Sequence, residues 1–68
     1  VDGTRVWGED GTLCITSAAA GRANIYNALG RFENSLTLSA GETRRLTMPV
    51  GIYIVKLDNG RAYKAAVR

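Results

Sequence analysis

The sequence predicts an all-β domain, an antiparallel immunoglobulin-like β-sandwich of about seven short strands. Glycines and turn dipeptides recur about every eight to ten residues, which is the spacing of short strands joined by tight turns. Between the turns, apolar and polar residues alternate, as in strands with one buried face. The 68 residues leave room for one small domain, residues 1–68. Because the chain starts with Val1 rather than Met, we expect this domain to be a module of a longer protein.

Turn residues divide the chain into the predicted strands. Asp10-Gly11 and Asn59-Gly60 are preferred in two-residue type I′ hairpin turns, since both central positions of that turn need a positive φ. Pro49 followed by Gly51 predicts another turn, because proline cannot donate to a strand ladder. The predicted strands are Thr4–Gly8, Thr12–Ser17, Ala23–Asn27, Arg31–Asn34 with Ser35–Leu38, Glu42–Met48, Ile52–Leu57 and Arg61–Val67. Only the connection Ala18–Gly21 is irregular.

The alternation also assigns side chains to faces. Phe32, Leu36 and Leu38 share a parity that predicts a common core face. The segment Ile52–Leu57 is apolar on both faces, because Ile52 and Ile54 lie opposite its core residues. It is therefore predicted to be a central strand, or one whose outer face contacts a partner.

Composition predicts that the domain is not an enzyme and holds no cofactor. The chain has no His, the commonest acid–base group near neutral pH and a frequent metal ligand. Its single cysteine, Cys14, cannot form an internal disulfide or a multi-cysteine zinc site. We interpret Cys14 as a small buried hydrophobe, with an intermolecular disulfide as the alternative if its face is exposed. Asp10 and Asp58 adjoin turn glycines, where aspartate is favoured for local backbone bonding.

The basic charge does not predict nucleic-acid binding. The net charge is +3, and the positive side chains are distributed over all the predicted strands. Arg44 and Arg45 are consecutive, so they point to opposite faces of their strand. Tyr53 and Tyr63 fall on the predicted core face, which leaves no aromatic residues interleaved with a basic groove.

Three segments carry a family resemblance. They are Ile25-Tyr26-Asn27-Ala28-Leu29-Gly30-Arg31, Met48-Pro49-Val50-Gly51-Ile52-Tyr53-Ile54-Val55 and the end of the chain, Tyr63-Lys64-Ala65-Ala66-Val67-Arg68. In this order, the segments resemble the signatures of the C-terminal sorting domains of the bacterial type IX secretion system, the type A Por secretion tail. The resemblance covers the chain from about Leu13 to Arg68.

The resemblance implies a sorting signal without a catalytic group. Such a domain directs its cargo protein from the periplasm across the outer membrane, and is usually then cleaved as the cargo is attached to the cell surface or released. The implied partners are the type IX translocon and its shuttle proteins, a sortase-like signal peptidase and the N-terminal cargo domain. The alternative function is a structural or adhesive module of a cell-surface protein, of the immunoglobulin or fibronectin type III kind.

The resemblance also implies site residues. The turn signature is Gly30 and Arg31, and the candidates for recognition or docking are Gly51, Tyr53, Val55, Lys64, Val67 and Arg68. The glycines are equally explained by backbone conformation, and Tyr53, Val55 and Val67 are first of all predicted core residues. Lys64 and Arg68 have outward parity on the last strand, which favours them as docking contacts, with a plain solvated face as the alternative. Edge strands and the Ala18–Gly21 connection further predict a weak homodimer, with strand exchange as one route to it.

Overall fold

A computed structural model describes residues 3–68, which form seven antiparallel strands and, within that range, no helix. The strands are β1 (Arg5–Glu9), β2 (Thr12–Thr16), β3 (Gly21–Asn27), β4 (Phe32–Leu38), β5 (Thr43–Thr47), β6 (Gly51–Leu57) and β7 (Ala62–Val67). The predicted all-β class is confirmed, and each predicted strand overlaps an observed one. No helix in the described residues is long and apolar enough to cross a bilayer.

The strands form two sheets, one of three strands in the order β1-β2-β5 and one of four in the order β4-β3-β6-β7. In an immunoglobulin constant domain the fourth strand belongs to the same sheet as the first, second and fifth strands, which gives sheets of four and three strands. Here β4 instead pairs with β3, so the larger sheet contains β6 between β3 and β7. The prediction that Ile52–Leu57 is a central strand is therefore confirmed.

The core lies between the inner faces of the two sheets. Leu13 and Ile15 enter it from β2, and Ile25 and Val55 enter it from β3 and β6, all four with no exposed surface. In β3 and β6 the buried residues alternate along the strand, as the period-two pattern predicts, whereas in β2 the intervening Cys14 is buried as well. Burial of these side chains is the main driving force for packing the sheets together.

The hairpin turns differ from the predicted type I′ turns. Gly11 and Gly60 have positive φ (68° and 89°), but no described residue other than glycine does, so Asp10 and Asn59 do not. A type I′ turn needs positive φ at both central positions and is therefore excluded for both dipeptides. In the β6–β7 hairpin the Gly60 amide donates to the Leu57 carbonyl (3.0 Å), and the Leu57 amide donates to the Arg61 carbonyl (2.8 Å). These bonds close a three-residue loop, in which only the last residue needs the left-handed region.

The β3–β4 hairpin repeats this arrangement. The Gly30 amide donates to the Asn27 carbonyl, and the Asn27 amide donates to the Arg31 carbonyl, both at 2.9 Å. The Oδ1 of Asn27 also accepts the amides of Leu29 (2.9 Å) and Arg31 (3.0 Å). The side chain of Asn27 therefore fixes the loop that it begins.

The first and last strands meet along a seam between the sheets. The Arg68 amide donates to the Glu9 carbonyl (3.3 Å), and the Gly11 amide donates to the Arg68 carbonyl (2.7 Å). At Gly8 a β-carbon would overlap the carbonyl oxygen of Ala66, so only glycine permits this close approach. The end of β7 is therefore covered by β1 and is not an open sheet edge.

Candidate interaction face

The outer face of the four-stranded sheet carries a row of large side chains. Phe32, Tyr26, Ile54 and Lys64 are successive register partners across β4, β3, β6 and β7. The rings of Tyr26 and Phe32 meet edge to face, with centroids 5.9 Å apart. Neighbouring residues on one face of a sheet are in side-chain contact, so the row is continuous.

This row extends to the end of the sheet where two connections meet. Ile52 precedes Ile54 on the same face, and it lines a groove together with Val50 and Leu29. Leu29 is 85% exposed, Val50 76%, Phe32 59% and Ile52 41%, and they are the exposed large hydrophobic residues of the described chain. We call Tyr26, Leu29, Phe32, Val50, Ile52 and Ile54 the apolar patch. Its concentration at one place is unusual, since single exposed hydrophobic residues are normally scattered.

Phe32 lies in the patch because of a β-bulge. The sequence predicts Phe32 on the core face with Leu36 and Leu38, and the structure shows that this is wrong. The register of β3 with β4 shifts between Ile25 and Tyr26, so that Phe32 opposes Tyr26. A bulge inserts one residue and reverses the face of everything beyond it. The alternation alone gives no sign of this insertion.

The outer face of the three-stranded sheet is different. It presents four threonines and Arg5, with a polar cluster formed by Trp7, Glu9, Cys14 and Arg45. The Trp7 indole donates to Glu9 Oε2 (3.0 Å), and Arg45 Nη1 donates to Glu9 Oε1 (2.9 Å) and to Cys14 Sγ (3.3 Å). The polar groups of this face are thus largely paired with one another.

These contacts set the protonation of Cys14 and Glu9. Cys14 is fully buried although it points away from the core, so its expected burial is confirmed. Its desolvation, and then the negative charge of Glu9, raises the pKa of the Cys14 thiol above its usual value. Hydrogen bonds from Trp7 and Arg45 lower the pKa of the Glu9 carboxyl. Cys14 is consequently a protonated, covered thiol at neutral pH.

The structure separates the predicted recognition residues into two groups. Tyr53, Val55 and Val67 are buried in the core, at 5%, 0% and 2% exposure, so in the folded domain they do not present a surface to a partner. Lys64 and Arg68 are exposed, as their parity predicts. Gly51 is half-buried at the start of β6, beside the groove, and the turn residues Gly30 and Arg31 are exposed in the β3–β4 hairpin.

Tyr53 has a specific structural role. Its hydroxyl donates to the carbonyl oxygen of Pro49 four residues upstream (2.7 Å). This is the tyrosine corner of immunoglobulin-like sandwiches, in which a tyrosine near the start of the sixth strand ties the preceding turn to the sheet. The Pro49–Tyr53 segment of the sequence therefore fixes the chain that presents Val50 and Ile52.

A second concavity lies where the seam between the sheets opens. Thr4, Arg5, Val6 and Trp7 of the first strand region line it, with Tyr63 of β7 opposite. It is a wide, shallow opening beside the partly buried Val6 and Tyr63, which pack on the core. Among residues 3–68, no three metal-ligating side chains of the His, Cys, Asp or Glu type gather into a group that could bind an ion.

Comparison with known proteins places the chain in a family. Residues 1–67 match the family described as a domain of unknown function, DUF6383, and the chain belongs to that family. Neither the curated proteins nor the solved structures gave a match.

Proposed function

We propose that this domain is a non-catalytic sorting signal of the type IX secretion kind, which directs an attached cargo protein from the periplasm across the outer membrane. One observation carries the proposal. Two of the segments that resemble the sorting signatures, Ile25–Arg31 and Met48–Val55, lie side by side and supply five of the six residues of the apolar patch, all except Phe32. Segments that are far apart in the sequence thus form one surface suited to recognition.

Both segments are held in a defined shape. The Asn27 side chain fixes the hairpin that presents Leu29, and the Tyr53 hydroxyl fixes the turn that presents Val50. A surface held in this way loses little conformational entropy on binding, which favours affinity for a receptor. In this role the domain is a substrate for translocation and cleavage and supplies no reacting group. Its partners are the translocon, the shuttle proteins, the sortase-like peptidase and the cargo.

A fusion assay in a cell with an active type IX system tests the proposal. The domain is placed after a Sec signal peptide and a neutral reporter, and the reporter at the cell surface is measured. We expect surface delivery with the intact domain and at least about a tenfold loss with Lys64→Ala and Arg68→Ala together, the size of loss that truncated contact residues cause at interfaces. Intact fusions held in the periplasm would contradict the proposal.

Point variants are better than truncation here. Removing Lys64–Arg68 takes Val67 out of the core and breaks both backbone bonds of Arg68, so a truncated domain would fail by unfolding. The matched control is Thr43→Glu with Thr47→Glu, which changes the net charge by the same two units on the opposite outer face. We expect this control to be delivered normally.

The second candidate function is a structural or adhesive module of a cell-surface protein. The tyrosine corner and the two-sheet strand order favour it, because both belong to the architecture that many cell-surface modules share. A folded domain that leaves its reporter in the periplasm, with or without the Lys64 and Arg68 substitutions, would favour this function over sorting.

A further inference from the structure

Cations outnumber carboxylates around the apolar patch, where the acidic residues are Glu33 at the groove and Asp58 beside Arg22. On this outer face, Lys64 is the register partner of Ile54. Lys56 lies two residues after Ile54 on β6 and shares its face, and Arg22 lies on β3. The four strands of this sheet contain one carboxylate, Glu33, which accepts a hydrogen bond from Asn27 Nδ2 (2.9 Å). The face is therefore apolar at its centre and cationic at its side.

We propose that the apolar patch and its neighbouring cations are the docking site for an acidic partner protein. The inference rests on the proposed sorting function, and it specifies the chemistry of the receptor that recognises the domain. That receptor presents apolar side chains to Phe32 and Ile52, with carboxylates placed opposite Lys56 and Lys64. Charge complementarity of this kind accelerates encounter and selects the partner, while apolar contact supplies the affinity.

A second copy of the chain does not fit this surface. A two-fold dimer through the patch would place the same surface on both partners, so that each copy would bring the same excess of cations to the interface. Like charges opposed at an interface are unfavourable. We therefore expect the predicted homodimer to use another surface.

A bilayer fits less well than a protein. Leu29 and Val50 lie in loops, whereas the other four patch residues lie on the flat face of the sheet. Inserting that row into hydrocarbon would also bury Asn24 and Ser35, which lie on the same outer face. Burying such polar groups without partners is costly, whereas a flat protein surface contacts the row and leaves these groups at its rim.

Photo-crosslinking in the delivering cell tests the inference. A photoreactive phenylalanine analogue replaces Phe32 in one fusion and Thr47, on the opposite outer face, in a matched control. Both fusions are irradiated during transit, and the crosslinked partner is identified with its contact peptide. We expect crosslinks from position 32 to a protein whose contact peptide is rich in Asp and Glu, with a yield at least about tenfold above that from position 47.

Charge variants test whether the cations beside the apolar patch contribute to docking. Lys56→Gln with Lys64→Gln removes two cations from the face, and we expect the crosslink from position 32 to fall about tenfold. Thr43→Glu with Thr47→Glu makes the same change of net charge elsewhere and should leave the yield unchanged. Lys56→Arg with Lys64→Arg keeps the charge and should retain the crosslink. Circular dichroism confirms that each variant is folded.

The outcomes separate the inference from the function on which it rests. An intact fusion that stays in the periplasm overturns the sorting function and this inference with it. Normal delivery with equal crosslinking from positions 32 and 47, or with a basic contact peptide, overturns the inference alone. Crosslinks to a second copy of the domain or to lipid overturn it as well, in favour of a dimer surface or a membrane surface.

Discussion

The two outer faces of the sandwich are both formed by antiparallel strands, but their surface chemistry differs. The three-stranded face carries four threonines and a Trp7–Glu9–Arg45 cluster whose polar atoms bond one another. The four-stranded face carries the apolar patch, with Lys56 and Lys64 toward one edge and Glu33 on the strand at the other edge. On the first face the clustered polar side chains bond one another, whereas the second face exposes apolar surface that water solvates poorly.

This difference indicates which exposed apolar residues the fold itself does not require. A sandwich needs apolar residues on its inner faces, and the three-stranded sheet demonstrates that an outer face of this domain can be polar. Phe32 and Ile52 add little to the core because they point away from it. Their exposure is therefore better explained by binding than by stability.

The largest expected effect comes from weakening the contact between β1 and β7, which joins the two sheets. Gly8→Ala places a methyl group on the carbonyl of Ala66 and forces β1 away from β7. We expect the free energy of unfolding to fall by about 3 kcal/mol or more, at the upper end for overpacking substitutions. Urea denaturation measures it. Gly41→Ala, where a methyl group meets no neighbouring atom but φ is positive, is the control for loss of glycine alone and should cost less.

An intermediate effect is expected on the three-stranded face. Trp7→Ala uncovers Cys14, and we expect its alkylation by iodoacetamide at pH 8 to become about tenfold faster, since reactivity follows exposure and thiolate fraction. Trp7→Phe keeps a ring beside the thiol and should remain slow. Equal rates for the parent domain and Trp7→Ala would show that Trp7 does not protect this face.

The pH dependence of that thiol has a defined sign. Because burial raises the pKa of Cys14, the folded state holds the proton more tightly than the unfolded state does. The resulting stabilisation is complete below the unfolded pKa of about 8.5 and is lost as the pH rises through the folded pKa. For Glu9, whose pKa is lowered, the favourable contribution is present above the ordinary glutamate pKa and is lost as the pH falls through the folded value.

The smallest effect is expected on the four-stranded face. Phe32→Thr should change the free energy of unfolding by no more than about 0.5 kcal/mol, because the ring is already 59% exposed. Leu36→Thr, four residues later on the same strand and buried, should cost about 2 kcal/mol or more. Thermal unfolding of the two variants compares them, and a similar loss in both would place Phe32 among the structural residues.

The alternation of the sequence predicts most strands within a few residues, because burial on one face is a local property that repeats every two positions. It fails at Phe32, since a bulge depends on how two strands pair and not on either strand alone. The type I′ prediction fails for a related reason: Asn59-Gly60 belongs to a three-residue loop only once Leu57 pairs with Arg61. Tyr53, Val55 and Val67, which the family resemblance implies as recognition candidates, are buried, so these positions serve the fold.

The seam at Gly8 and Arg68 also determines when the fold can be finished. Chains are made from the N-terminus, and β1 is available long before its neighbour β7. Until Arg68 is present, the Glu9 carbonyl and the Gly11 amide lack their partner and Val67 is missing from the core. The sandwich therefore closes only after the last strand has emerged. This timing keeps the nascent domain open throughout its synthesis.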